Sequence, residues 1–207
     1  MTEEYLTIKN NATVETVIER SRFITSVSKA ETEEEARIFV DGIRKKYPDA
    51  THNCFAYIAE RGAYSRYSDD GEPSGTAGPP IFDVIKNNKL LDAAIVVTRY
   101  FGGVKLGTGG LSRAYGGCAA QGVAAAGIVQ KSLCFECRAE LSYADVGAFQ
   151  RLSRRDLLVL STEYGDKAIV RFAIKKSAYN AFNRDFCDQF SGRYEIGIVG
   201  EGFFGFQ

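Results

Sequence analysis

Three stretches of the sequence carry side chains suited to chemistry. The first, SDDGEPSGTAGPP from Ser68 to Pro80, places Asp69, Asp70 and Glu72 in a run of turn-forming residues. Grouped carboxylates can hold a hard cation or divide acid and base roles between them. The same run also reads as a plain turn at Asp70-Gly71, with Ser74 or Thr76 capping backbone groups. The second stretch, RYFGGVKLGTGGLSR from Arg99 to Arg113, joins an apolar strand to a helix through glycines, with three cations around the turn. Backbone N–H groups at a helix N-terminus, helped by neighbouring cations, make an anion site. The candidate phosphate- or RNA-binding set is Arg99, Tyr100, Gly102, Gly103, Lys105, Gly107, Thr108, Gly109, Gly110 and Arg113. The competing reading is a crowded junction where glycine is needed for packing. The third stretch holds His52, the only histidine, two residues before Cys54 on one face of a strand. Their backbones stand roughly 6 to 7 Å apart, long for a nucleophile and its base.

Neither glycine motif is a standard nucleotide loop. After Gly102-x4-Gly107 comes Thr108 where a Walker loop needs lysine, and Gly107-Thr-Gly109 meets Ser112 where a dinucleotide fingerprint needs glycine. Cys134 and Cys137 have CxxC spacing, but positions i and i+3 of a strand face opposite ways and do not chelate together. One histidine gives no zinc site of the common kind. The expectation is therefore no metal and no cofactor, with His52, Asp70 and Glu72 as the catalytic candidates if the chain is an enzyme.

The elements that position these residues follow from periodicity. Thr13 to Val27 reads as strands interrupted at Arg20-Ser21-Arg22. Thr32 can cap a helix, with Glu35 as its capping-box partner, and Ala36, Phe39, Val40 and Ile43 recur at helical spacing until Pro48. Residues 50–59 read as a strand, and Asp83 to Leu91 as a short helix opened by Pro79-Pro80. Asp92 to Phe101 is a nearly continuous apolar run, the mark of a central strand covered on both faces. Gly109 to Ala126, rich in small residues, predicts a closely packed helix. From Ser132 the order is strand, helix (about 143–155), strand, turn at Gly165-Asp166, strand, helix (about 177–190), strand. That βαββαβ order is the ferredoxin-like signature. The predicted fold class is α+β, with a first domain over 1–130 (core about 17–125) and a second over 131–207.

Composition bounds the rest. A chain of 207 residues, 45% hydrophobic, can bury a real core. No run approaches the roughly 18 apolar residues of a membrane span, and MTEEYLTIKN lacks the order of a secretory signal. The five cysteines are an odd count, so reduced thiols and a cytoplasmic location are expected and no membrane partner is. With 26 basic and 26 acidic side chains the formal charge is zero, and both halves are neutral. Any contact with RNA must come from a local patch. Tyr64 and Tyr67 flank Arg66 and could stack on bases.

SDDGEPSGTAGPP followed by VVTRYFGGVKLGTGGLSRAYGG, with HNCFAY and the early SRFI at Ser21 to Ile24, resembles the signature of the Impact/YigZ family. The resemblance covers nearly the whole chain. It implies a first domain folded like the second domain of a small-subunit ribosomal protein and the fourth domain of elongation factor G, and a C-terminal domain like that factor's last one. The positions matching the family's acidic loop are Asp70, Gly71, Glu72, Pro73, Thr76, Ala77 and Gly78. Those matching its glycine turn are Arg99, Tyr100, Gly102, Gly103, Gly107 and Arg113. Eukaryotic relatives act in translational control by competing for a ribosome-associated activator of an initiation-factor kinase. The resemblance thus implies a translation-linked protein whose partner is the ribosome, RNA or a ribosome-associated protein. The alternative is a small-molecule hydrolase or transferase that places a phosphorylated ligand on the same turn and uses the acidic-loop carboxylates.

Overall fold

The computed structural model describes residues 3–152 and 155–206 and divides the chain into two compact units. One unit takes in Leu6–Val129; the other takes the segment up to Tyr5 together with the chain from Gln130 onward. The division falls inside two strands, β1 (Glu4–Ile8) and β7 (Ile128–Leu141). The architecture is α+β.

The first unit is built on five antiparallel strands: β2 (Ala12–Ile18), β3 (Ser21–Lys29), β4 (His52–Ala59), β5 (Tyr64–Ser68) and β6 (Ala93–Tyr100), in the order β2-β3-β6-β4-β5. β2 and β3 form a hairpin whose two turn residues, Glu19 and Arg20, have φ of 45° and 65°. β6 lies in the middle, and successive side chains pack on opposite faces. On one face Ala94 and Val96 meet helix α1 (Glu33–Lys46); on the other Ile95 and Val97 meet helices α2 (Gly78–Asn87) and α3 (Gly107–Ala126). The apolar run 92–101 reads as a doubly covered strand for that reason.

Local signals place these helices. The Thr32 side chain accepts from Glu35 N–H at 3.1 Å, while the Glu35 carboxylate reaches back to Glu31 N–H, one residue earlier than the expected capping box. α1 stops at Lys46, ahead of Pro48. α2 begins with Pro79 and Pro80 in its first turn and ends at Asn87, four residues short of the expected Leu91. Lys89 with φ of 54° turns the chain there into β6.

The second unit follows β7, α4 (Val146–Leu152), β8 (Leu157–Tyr164), β9 (Ala168–Lys175), α5 (Lys176–Phe190) and β10 (Ile196–Gly205). Its strands lie in the order β10-β7-β9-β8, all antiparallel, with β1 added beside β7. This is the split βαβ arrangement of the ferredoxin-like fold. α4 and α5 cover one face through Phe149, Phe182, Phe186 and Phe190, packed on Phe172. The helix expected to reach 155 is shorter: a 3-10 turn at Tyr143–Asp145 precedes it, and positions 153 and 154 lie outside the described residues.

Candidate functional site

The glycine-rich turn is built against the β2–β3 hairpin. A Cβ on Gly102 would stand 2.0 Å from the Arg20 carbonyl oxygen, so only glycine lets the two backbones pass, and Gly102 N–H donates to Ser21 Oγ at 3.2 Å. Beyond this contact the turn opens. Gly103 and Gly107 have φ of 84° and 71°, with nothing within 4 Å of where a Cβ would sit. α3 then starts with Gly107, Thr108, Gly109 and Gly110, the first three exposed, with no acidic residue in that turn and no side chain capping it. Gly102 is thus a packing glycine, and the N-terminus of α3 opens five residues later.

Two cations border that N-terminus. Lys105 and Arg113 are exposed, and with Glu19, Val104, Leu106 and Gly110 they line a cleft of about 500 Å³. An Arg113 Nη lies 3.6 Å from the point where a Cβ on Gly109 would stand, so its guanidinium folds back over the first turn. The cleft itself is lined by Glu19 and by the flank of α3 at Gly110, Arg113 and Ala114, while the free amides of Gly107, Thr108 and Gly109 stand exposed beside it; an uncapped helix N-terminus with Lys105 and Arg113 next to it suits an anion such as phosphate.

Arg99 and Tyr100 do not join this cleft. Arg99 shares the Ile95–Val97 face of β6, is only 4% exposed, and donates Nη1 to Glu72 at 2.6 Å and Nη2 to Ser21 Oγ at 3.2 Å. Its guanidinium lies 5.5 Å from the ring centroids of both Phe23 and Phe101. Tyr100 points to the opposite face, donating its hydroxyl to Asp49 at 2.9 Å beneath Arg22. The guanidinium at the end of β6 therefore braces the turn from inside rather than facing a ligand.

The acidic loop separates its three carboxylates. Asp69 accepts from the N–H groups of Gly75, Ala77 and Gly78, each at 2.9 Å, and so caps α2. Burial works against its charge, but these three donors outweigh it and hold the Asp69 carboxyl below its ordinary value. Asp70, with φ of 44°, and Gly71, with φ of 87°, form the turn; Asp70 accepts from Arg44 and from Asn53 N–H, both at 2.7 Å. Glu72 turns inward, where one carboxylate oxygen receives both Arg99 and the Tyr115 hydroxyl, at 2.6 and 2.7 Å. Burial and the adjacent Cys54 and Glu72 push the Tyr115 hydroxyl far up, so it stays protonated and donates.

His52 Nδ1 lies 2.9 Å from the Asp70 carbonyl oxygen. A carbonyl only accepts, so Nδ1 is assigned the proton and Nε2 faces the second Glu72 oxygen at 3.8 Å. The Cys54 thiol donates to the Asp69 carbonyl at 3.0 Å and is pushed far up by burial, which makes it an inert hydrogen-bonding group. Among the described residues no group of three or more His, Cys, Asp or Glu side chains is placed to hold a metal ion. Thus Glu72 and Arg99, both buried, converge behind the glycine turn with half-buried His52 beside them, whereas the Asp70 carboxylate goes to Arg44 and Asn53 and only its backbone carbonyl reaches His52. Tyr115 and Ser21, unassigned in the sequence, complete the buried cluster. Tyr115 was visible in principle, since Leu111, Ala114, Tyr115 and Cys118 repeat at 3 and 4 and mark the buried stripe of α3.

Fold and site together define a two-domain α+β protein with a glycine turn clamped by a buried Glu–Arg pair. The chain belongs to the Impact family: residues 19–123 match the Impact N-terminal domain, and residues 140–193 match a domain of unknown function, DUF1949. It is 38% identical to the IMPACT family member YvyE of Bacillus subtilis, over 95% of this chain and 91% of that one. It is 31% identical to the IMPACT family member YigZ of Escherichia coli, over 96% of this chain and all of that one. A crystal structure described as that of a hypothetical protein superposes with a TM-score of 0.63 at 30% identity, covering 97% of this chain and 99% of the other.

Proposed function

We propose that the protein is a translation-linked binding protein that takes hold of a phosphate of ribosomal or other structured RNA at the N-terminus of α3. The observation that carries this reading is the exposed first turn of a 20-residue helix, free of side-chain caps and acidic residues, beside Lys105 and Arg113. The zero net charge fits a binder that relies on one local site rather than on a general basic surface. The buried Glu72–Arg99–Tyr115 cluster fixes the turn's shape in advance, so little ordering is required on binding.

An enzyme acting on a phosphorylated small molecule would need the acidic-loop carboxylates, and these are already engaged: Glu72 by Arg99 and Tyr115, Asp70 by Arg44 and Asn53. The test is RNA binding by fluorescence anisotropy across a salt series, comparing wild type with the Lys105→Ala, Arg113→Ala double variant. One neutralised phosphate corresponds to a slope of about −0.7 to −0.9 in log K against log salt, most of which the variant loses. An unchanged slope and affinity in the variant removes the proposal. Both side chains are exposed, so the variant keeps the fold.

A further inference from the structure

The α1 side of the first unit carries a second concentration of cations, which the glycine turn does not use. Arg37, Asp41 and Arg44 are spaced i, i+4, i+7 and form one stripe of α1. Across from them runs β5, whose Arg66 and Ser68 are register partners of Tyr57 and Phe55 in β4. Tyr57 and Phe55 belong to the core on the α1 face, so Arg66 points to that face as well. Helix and strand enclose a groove of about 330 Å³, floored by the Phe55 and Tyr57 rings, which lie parallel at 6.0 Å between centroids.

Two features of this groove bear on what it accepts. Its walls are arginine-rich. Arg44 is held by Asp70 at 2.7 Å, whereas Arg37 and Arg66 are exposed and, among the described residues, form no ion pair. The second feature is the wall strand itself. β5 ends the sheet order β2-β3-β6-β4-β5, so among the described residues no strand pairs with its outer side, and Tyr64 through Tyr67 are exposed. An open edge strand offers alternate N–H and C=O groups to an incoming extended chain.

We infer that this groove receives an extended acidic peptide segment of a protein partner, which pairs with β5 as a further strand and sets carboxylates against Arg37 and Arg66. The arginine fork matches a carboxylate in two-point contact, and the main-chain pairing fixes its register. An RNA strand fits these walls less well. The floor rings are 7% and 1% exposed and give a base no face to stack on, and the Tyr67 ring packs against Phe82 at 5.6 Å, on the other side of the sheet.

The experiment uses the full chain and a fluorescein-labelled heptapeptide of alternating glutamate and valine. Three comparison probes accompany it: the glutamine counterpart, the same peptide N-methylated at alternate amides, and an oligouridylate. The expected result is saturable binding of the glutamate peptide with slowed hydrogen exchange at β5. That binding weakens at least tenfold for the glutamine and N-methylated peptides and for the Arg37→Ala, Arg66→Ala variant. It is unchanged in the Lys105→Ala, Arg113→Ala variant, which separates this groove from the RNA site. The N-methyl comparison needs no altered protein, so it stands whatever the variant's stability. Absence of peptide binding, or binding indifferent to N-methylation, overturns the inference. Oligouridylate binding lost in the Arg37→Ala, Arg66→Ala variant with β5 amides unprotected also overturns it, and assigns the groove to RNA.

Discussion

Replacing Arg99 with methionine removes the buried partner of Glu72 while keeping most of the side-chain volume. The two side chains are 5% and 3% exposed, so the Glu72 carboxylate is left without its counter-ion in a site that water hardly reaches. Stranding one member of a buried pair destabilises by about 3–5 kcal/mol, a large part of the roughly 5–15 kcal/mol that holds a domain folded. Tyr115→Phe deletes one hydrogen bond to the same carboxylate oxygen and should lose about 1.5–3 kcal/mol, since the acceptor is charged. Ser21→Ala, whose contact with Arg99 is 3.2 Å, should lose about 1 kcal/mol. Combining Arg99→Met with Glu72→Met removes both charges together and should recover most of the loss, because an apolar pair of similar size replaces the ion pair. Urea unfolding followed by circular dichroism and tryptophan-free tyrosine fluorescence gives each value. A single Arg99→Met variant within 1 kcal/mol of wild type, or a double variant less stable than Arg99→Met alone, refutes the clamp.

Three further outcomes follow from the same geometry. Gly102→Ala forces a methyl group into the Arg20 carbonyl and should destabilise by at least the 1–3 kcal/mol or so typical of overpacking, whereas Gly103→Ala, in open space but at positive φ, should lose only about 1–2 kcal/mol; thermal unfolding ranks the pair. Asp69→Ala should lose about 1–2 kcal/mol at pH 7 through the cap of α2. The folded-state value of Asp69 lies below its ordinary 3.8, so its contribution is present above that pH and fades as pH falls through the lower folded value; urea midpoints from pH 7 to pH 3 trace the narrowing gap between wild type and variant. Among the thiols, exposed Cys187 should react with iodoacetamide first, while burial holds Cys118, Cys134 and Cys137 near 11 and Cys54 higher still; mass spectrometry of the native protein reads the order.

Much of the fold was legible because local and tertiary signals agreed. Thr32 and Pro48 bracket α1, the apolar run 92–101 is the doubly covered β6, and the second half shows its βαββαβ order through plain changes of period. β5 was not legible: Tyr64-Ser65-Arg66-Tyr67-Ser68 is an exposed edge strand, and without a buried face it lacks the alternation that marks a strand. β1, which adds to the sheet of the second unit from the far end of the chain, was hidden by sequence distance.

The sequence names the charged residues around the turn and not the directions they take. The sequence brings Arg99, Lys105 and Arg113 to one turn, but β6 is buried on both faces, so alternation alone does not say that Arg99 points inward. What turns it inward is Glu72, 27 residues earlier, a pairing that spacing does not announce. The same holds for the acidic loop, where three neighbouring carboxylates look like one site and serve three separate partners: the α2 cap, Arg44 and Arg99.

The most direct test of the central claim is co-sedimentation of the purified protein with ribosomes across a salt series, for wild type and for the Lys105→Ala, Arg113→Ala variant. Retention should fall with salt and be lost in the folded variant. Retention unchanged in that variant, or no retention at the lowest salt, contradicts the claim.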